Sequence, residues 1–586
     1  MWVKIQRKLL MRLFLRRGHS RFAGIGRFAR IVIVLWLAAP IDAWPQQGRE
    51  IAPREPPDLP AWLEGAPELK GVLPPVNWPA DPPRSPADRE TFEIAEVRFS
   101  GNTVVEDEVL AAIASDFEGR TVSMPELRWL RDAVTQAYVA RGFVTSGATL
   151  EPARLAEGVV EIVVVEGRVT EIEVETDGGF REWVLREPLR RATRGVLNVT
   201  DLERSLRTLQ GNPQIERLSA RLSPGEEVGN STLAVRFEEA PRLASSVAGA
   251  NDISPVIGGW RSVASLSGER LLGFGEQISM EASLGEDFWQ VSPTLRIPIL
   301  PFVSDVEVYG RYSEAQVVEE PFDVLDVETE VATVGGRYRH TLLADPAYEL
   351  AASLAAEWRE SKSFLGGFGF DFTGSSDDGT TRVFVLRPSL EGFWRSEQTA
   401  LALRSTVSVG VDIPSTTNQD DAIADSRFVS WLGQLQLVQR LPVLQARLGV
   451  RLDAQLANDT LFGLERFSLG GSNSVRGYRE NAIVRDNGVV VGTEVRVPVE
   501  QPWHWLDVEL IAFADAGHGW NDRDRRDGPS TLVGIGGGID LRFWKDVRLQ
   551  VMWGSDLKEF PTRVDRDLQD RGFHILLSWA PPMPDW

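Results

Sequence analysis

The chain has 586 residues and a mass of 65.1 kDa; 43% of its residues are hydrophobic and 25% charged, enough apolar material for several folded units. A formal charge of −21 opposes binding to a nucleic-acid backbone, and the absence of cysteine excludes disulfides, thiolate catalysis and Cys-based zinc sites. The five histidines (His19, His340, His504, His518 and His574) include no ligand pair at HxxxH or HExxH spacing, so no metal, cofactor or His-based hydrolase is expected.

In chain order, residues 1–43 combine a long basic region (Lys4 to Arg30), a short apolar run (Ile31 to Ala39) and Pro40-Ile41-Asp42-Ala43. This is the pattern of a secretory signal, and the apolar run is too short to span a bilayer comfortably. Residues 44–90 are dense in proline, with Pro56-Pro57, Pro74-Pro75 and Pro82-Pro83, and read as an extended tether. Residues 91–167 then show a strand at Phe92 to Phe99, helical spacing at Val109 to Ile113 and at Leu127 to Tyr138, and an alternating strand at Val160 to Val164. Together these predict a βααββ unit. A second unit of the same order is predicted over 168–241, with helices at Trp183 to Ala192 and behind a capping box at Thr200-Asp201-Leu202-Glu203.

From residue 242 to 586 period-two alternation replaces helical spacing. Over 444–456 the apolar positions Leu444, Ala446, Leu448, Val450, Leu452, Ala454 and Leu456 alternate with Gln445, Arg447, Gly449, Arg451, Asp453 and Gln455. Segment after segment reaches about ten residues, the length that crosses a bilayer at a steep tilt. About sixteen such segments are expected, joined alternately by short turns (near 299–303, 341–346, 440–442, 500–503 and 544–546) and longer polar loops, the longest at 457–485. Trp431, Trp503, Trp505, Phe543, Trp544 and Trp579 fall near strand ends, where interfacial girdles belong. The predicted architecture is an antiparallel outer-membrane β-barrel of about 16 strands preceded by two α+β units.

Strand alternation puts Glu494 and Arg496, on one strand, and Glu509, Phe513 and Asp515, on the next, inside the lumen. Arg476 lies in a glycine-flanked loop long enough to fold inward, and a guanidinium can meet a carboxylate through two parallel hydrogen bonds. Gly534, Gly536 and Gly538, also on the lumen side, would permit close approach. From the residues alone, Arg476 as a solvated loop charge and Asp515 as a channel-lining group stay open.

Three motifs carry a resemblance. Gly142-Phe143-Val144-Thr145-Ser146, with Leu155 to Ile162 including Gly158, and Val165-Glu166-Gly167, resembles the first POTRA module of two-partner secretion transporters. Gly470 to Tyr478, containing Val475-Arg476-Gly477-Tyr478, resembles the pore-loop motif of the wider outer-membrane assembly superfamily. Phe513-Ala514-Asp515-Ala516-Gly517 resembles its F-x-D-x-G strand. The resemblance covers residues 92–586. It implies an outer-membrane translocator whose periplasmic POTRA modules capture a large exoprotein as an extended chain and whose barrel secretes it, with activation of that exoprotein left open. It also implies an Arg476–Asp515 pair, contact with outer-membrane lipid, and insertion by the barrel assembly machinery. No nucleotide-phosphate motif is present, so folding of the exported protein outside would supply the drive. Barrel insertion of other proteins and passive diffusion are the competing functions; no G-x-S-x-G elbow supports a hydrolase.

Overall fold

The computed structural model describes residues 90–581 apart from 152–156, 371–375, 377, 419–423, 501–502, 522–529 and 560–566. The export signal, nearly all of the tether and Leu155-Ala156 of the first motif lie outside the described residues.

The first α+β unit contains strands β1 (Thr91–Ile94), β2 (Glu96–Ser100), β3 (Arg120–Ser123), β4 (Gly147–Glu151) and β5 (Val159–Val165), with helices α1 (Asp107–Ala114) and α2 (Met124–Val139). The single strand expected at 92–99 is two. β1 pairs with β3, β2 pairs parallel with β5, and the chain changes sheets at Ala95, whose N–H is taken by the Gly158 carbonyl at 2.8 Å. Local alternation cannot reveal such a switch, because both halves bury their apolar side chains in one core. Ile94, Leu110, Leu127, Leu130, Val134, Tyr138, Val160 and Ile162 are all fully buried there. α2 opens with a capping box of Ser123 and Glu126.

The second unit contains β6 (Arg168–Thr176), α3 (Glu182–Ala192), α4 (Val199–Gln210), β7 (Ile215–Pro224) and β8 (Asn230–Glu239), in sheet order β6-β8-β7. Pro188 is accommodated inside α3. The capping box expected at Thr200 does not form, because the helix begins two residues earlier: Asn198 is its N-cap and accepts the Thr200 N–H at 2.9 Å.

Sixteen antiparallel strands then close a barrel. In chain order they are β9 (Leu243–Ala250), β10 (Arg261–Glu269), β11 (Gln277–Leu284), β12 (Phe288–Leu300), β13 (Ser304–Gln316), β14 (Val327–Asp345) and β15 (Tyr348–Leu365). A two-residue β16 (Phe368–Gly369) only extends the edge of β15. The ring continues with β17 (Thr380–Arg395), β18 (Thr399–Val411), β19 (Val429–Arg440) and β20 (Arg447–Ala457). Past a small hairpin, β21 (Phe467–Leu469) and β22 (Ile483–Arg485), come β23 (Asn487–Val499), β24 (Leu506–Trp520), β25 (Thr531–Phe543), β26 (Val547–Asp556) and β27 (Phe573–Trp579). β27 closes on β9 through four register pairs, from Leu576↔Ala250 to Trp579↔Val247.

Outward positions are apolar because they meet lipid tails, and inward ones are polar because they meet water and one another. One facing assignment needs correction. Leu444 and Gln445 sit in a turn rather than in β20, with φ of 58° and 51°. Their alternation continues that of the strand, but the chain must reverse direction there, and Val443 and Leu444 are left exposed at the rim. Leu448 is accordingly the second residue of β20, and Leu452 is nearer its middle. At the same end of the barrel Trp505 stacks on Trp544 at 5.6 Å and on Phe543 at 6.3 Å, forming part of an interfacial belt.

Candidate functional site: a loop pinned inside the barrel

The long connection between β20 and β23 folds into the lumen. Leu469, Val475, Tyr478 and Ile483 pack with Leu432 of β19, Val490 of β23 and Leu532 of β25 in one buried cluster. Glycines on the wall make room. A Cβ at Gly517 would come within 2.9 Å of Leu469 and 3.0 Å of Val475, and one at Gly534 would run into the Arg476 carbonyl. Gly477 has φ of 98°, and its backbone lies against Gly554 of β26.

At the loop's tip Arg476 donates from Nε to Asp515 Oδ2 at 2.7 Å and from Nη2 to Asp515 Oδ1 at 2.8 Å. Its backbone N–H reaches the same carboxylate at 3.0 Å. Nη1 donates to Glu494 Oε2 at 2.7 Å, and the guanidinium carbon lies 3.9 Å from the Phe513 ring centroid. β-pairing sets this geometry. Asp515 stands opposite both Gly492 and Gly534, and Phe513 stands between Glu494 and Gly536, so glycines leave room beside Asp515 on both sides and beside Phe513 on one. The Asp515 side chain is 0% exposed and that of Arg476 9%, which makes each the other's main compensation for lost water. Glu494 also accepts from Arg496 at 2.7 Å, and Arg496 reaches Asp540 at 3.2 Å, extending the charge chain along the lumen wall. The Tyr478 hydroxyl sits between the backbones of Val533 and Lys558, its oxygen 3.0 and 2.8 Å from their carbonyls. The sequence-predicted loop residues Val475 to Tyr478 and the wall residues Glu494, Phe513, Asp515 and Gly517 are thus brought together.

The motif residues of the first unit lie elsewhere, Gly142, Thr145, Ser146 and Gly167 at its junction with the second and Gly158 and the Glu166 carboxylate inside the unit itself. The Gly142 carbonyl accepts the Val199 N–H at 2.8 Å, and the Gly167 carbonyl accepts the Leu197 N–H at 2.8 Å. Gly167 donates to Ser146 Oγ at 3.0 Å, and a Cβ on it would collide with Thr145. The Glu166 carboxylate accepts the backbone N–H groups of Thr103 (2.5 Å) and Val104 (3.0 Å), the Thr103 hydroxyl, and Tyr138 OH at 3.1 Å. Burial by itself would raise the Glu166 carboxyl, but these donors outweigh it and hold the group below the usual carboxylate range. Gly158, with φ of 77°, lies just ahead of β5, and its carbonyl accepts the Ala95 N–H at 2.8 Å and the Glu96 N–H at 3.3 Å where the chain passes from β1 to β2.

A family model for haemolysin secretion/activation proteins (ShlB/FhaC/HecB) matches residues 229–541, and one for the ShlB-type POTRA domain matches residues 92–167. The chain belongs to the haemolysin secretion/activation family. It is 21% identical over 435 residues to the heme/hemopexin transporter protein HuxB of Haemophilus influenzae, covering 69% of this chain and 72% of that one. It is 21% identical over 498 residues to the outer membrane transporter CdiB of Dickeya dadantii, covering 83% and 87%. The solved structure of CdiB from Escherichia coli superposes with a TM-score of 0.66 at 19% identity over 85% of this chain and 92% of that one. CdiB from Acinetobacter baumannii gives a TM-score of 0.57 at 14% identity over 94% and 96%. As a member of this family the protein is a two-partner secretion transporter of the outer membrane, with its POTRA modules in the periplasm.

Sequence reasoning missed several residues that hold the transporter's loop. Arg479 reaches Glu319 at 2.7 Å and Asp570 at 2.5 Å, tying the loop to two external connections. Gln569, fully buried, accepts the Glu480 N–H at 2.9 Å and donates to the Ile253 carbonyl at 2.7 Å. The only signal for these in the sequence is polarity within long loops, which solvated loops share.

Proposed function

We propose that this transporter captures its large exoprotein partner as an extended chain on the POTRA sheets and conducts it through the barrel past the Arg476 loop. The observation that carries this reading is a polar lumen spanned by a loop held at discrete charge contacts, beneath two sheets with open edges. The edges are β2 and β4 in the first module and β6 and β7 in the second, and each offers unpaired backbone groups to an incoming strand. Main-chain hydrogen bonds would supply affinity, and neighbouring apolar side chains specificity. In this reading residues 1–43 are the export signal and 44–90 a tether. Residues 91–167 and 168–241 are the two modules, and 242–586 is the barrel, lipid-embedded and inserted by the assembly machinery. Val475 to Tyr478, with Glu494, Phe513, Asp515 and Gly517, form the pore-loop site. Gly142, Thr145, Ser146 and Gly167 hold the modules in register, while Gly158 and Glu166 brace the first module internally. The work is transport without a bond-making step, and no cofactor enters it.

Deleting residues 92–167 tests capture. The barrel is expected still to reach the outer membrane, because its strand ladder does not involve this module, while secretion of its large exoprotein partner is lost. Normal secretion by the truncated protein would remove the capture role.

A further inference from the structure

The loop meets the barrel wall at a second place. Gly463–Glu465 forms a single helical turn ahead of β21, and its Glu465 side chain is 2% exposed. Glu465 lies between two guanidinium groups, Arg359 Nη1 at 2.5 Å and Arg387 Nη2 at 2.9 Å, and Arg359 also donates to the Leu464 carbonyl at 3.1 Å. The arginines stand on neighbouring strands, β15 and β17. Just ahead of the turn, Leu461 and Phe462 are buried against Val383 and Val385 of β17. Four strands (β18, β19, β20 and β23) separate β17 from β24, which carries Asp515. The loop therefore crosses the lumen as a chord, tied at both ends.

The two ends are held differently. At the Arg476 end both side chain and backbone are bound, with the chain pressed onto Gly534 and Gly554 so closely that no Cβ fits. At the Glu465 end the wall is reached by one carboxylate, two carbonyls (Leu464 on Arg359, and Glu465 on Gln455 of β20 at 2.9 Å) and apolar side chains, with no backbone among the described residues pressed onto a wall glycine. The turn begins at Gly463, around which no atom lies within 4 Å of the Cβ position. A guanidinium held only through side-chain contacts can exchange one carboxylate for another, whereas a backbone wedged on glycine cannot move without losing its packing.

We propose that Glu465, seated between Arg359 and Arg387, is a second positioning site for the pore loop, and that this end releases when an exported chain enters while the Arg476 end stays fixed. The inference rests on the translocator reading. Release would swing the leading limb of the loop off the β15–β17 wall and open a path there. The freed arginines would face the passing chain, whose acidic groups and carbonyls could replace Glu465 in turn.

Because the chain has no cysteine, Arg359→Cys together with Glu465→Cys introduces the sole pair of thiols. Bridging them in whole cells with a bifunctional methanethiosulfonate, about as long as the two side chains replaced, should abolish secretion, and reduction should restore it. Reconstituted in a planar bilayer, Glu465→Gln and, separately, Arg359→Gln should each raise ion conductance, with heat-modified gel mobility showing that the barrel is intact. The proposal is overturned if the bridged protein secretes as well as the reduced one, or if neither single variant changes conductance. Should the unsubstituted protein itself export nothing, the translocator reading falls, and the inference with it.

Discussion

Arg476 and Asp515 behave as one unit because neither has water to fall back on. Removing either leaves the other charge uncompensated in a nearly dry site, at a cost of about 3–5 kcal/mol. The strand ladder is untouched, so that cost should appear as displacement of the loop rather than as loss of the barrel. Arg476→Ala and Asp515→Ala are each expected to abolish secretion while the protein still reaches the outer membrane. The double variant should be little worse than either single, and additive losses in that cycle would break the pairing. Glu166 makes a separate, pH-dependent contribution in the first POTRA module. Its carboxyl is held below the ordinary value, so the stability it adds is present above that value and is lost as pH falls through the lower, folded one. Protection of the Thr103 and Val104 amides, measured against their intrinsic exchange rate at each pH, should therefore fall as pH drops below about 4, and Glu166→Gln should remove that dependence.

Among the elements, β20 shows how one strand serves two solvents. Leu452, mid-strand, is 39% exposed toward the lipid, while its neighbours Arg451 and Asp453 point inward. Leu452→Arg should destabilise the barrel by about 2–4 kcal/mol, the usual cost of a cation near the bilayer midplane. Gln436→Arg, on the lumen side of β19 in a cavity of about 370 Å³, should cost far less. Unfolding in detergent micelles followed by gel mobility checks this, and equal effects would invert the facing assignment. The correction at Leu444 and Gln445 belongs to the same scale. Alternation reports a strand's faces well, but a turn can inherit the pattern for two or three residues without carrying the geometry. The switch of sheets at Ala95 escaped for a related reason, since a break that keeps both halves in one core leaves the pattern unchanged.

At the scale of the whole molecule, the second POTRA module is seated on the barrel rather than hung from it. Arg270, fully buried in the β10–β11 turn, pairs with Glu239 at 3.3 Å and Glu269 at 3.2 Å, donates to the Ala240 carbonyl, and lies over the Phe180 ring. Arg181 adds a backbone bond to Gly273 at 2.8 Å, and Phe302 of the next turn packs on Phe180. Arg270→Ala should take from Glu239 and Glu269 the guanidinium they share and loosen the module from the rim. The expected readout is faster proteolysis near residues 240–242 with an unchanged barrel fragment; an unchanged cleavage rate would mean that the aromatic contacts suffice.

The amino-acid sequence alone determined the class of molecule. Period-two alternation over sixteen segments, helical spacing in two preceding units and a net acidic, cysteine-free composition follow from which side chains tolerate lipid, water or a small core, and each is a local property. It also placed Asp515 inside the lumen and Arg476 on a loop long enough to reach it, while their pairing came from the family resemblance and not from the residues alone. Only the tertiary structure decided where the loop crosses the lumen, that Glu465 meets Arg359 and Arg387, and that Gly142 and Gly167 of the first module seal its junction with the second. Those contacts join residues tens to hundreds of positions apart, as with Arg479 and Glu319. They depend on the order of strands around a closed ring, a quantity that no local pattern of side chains encodes.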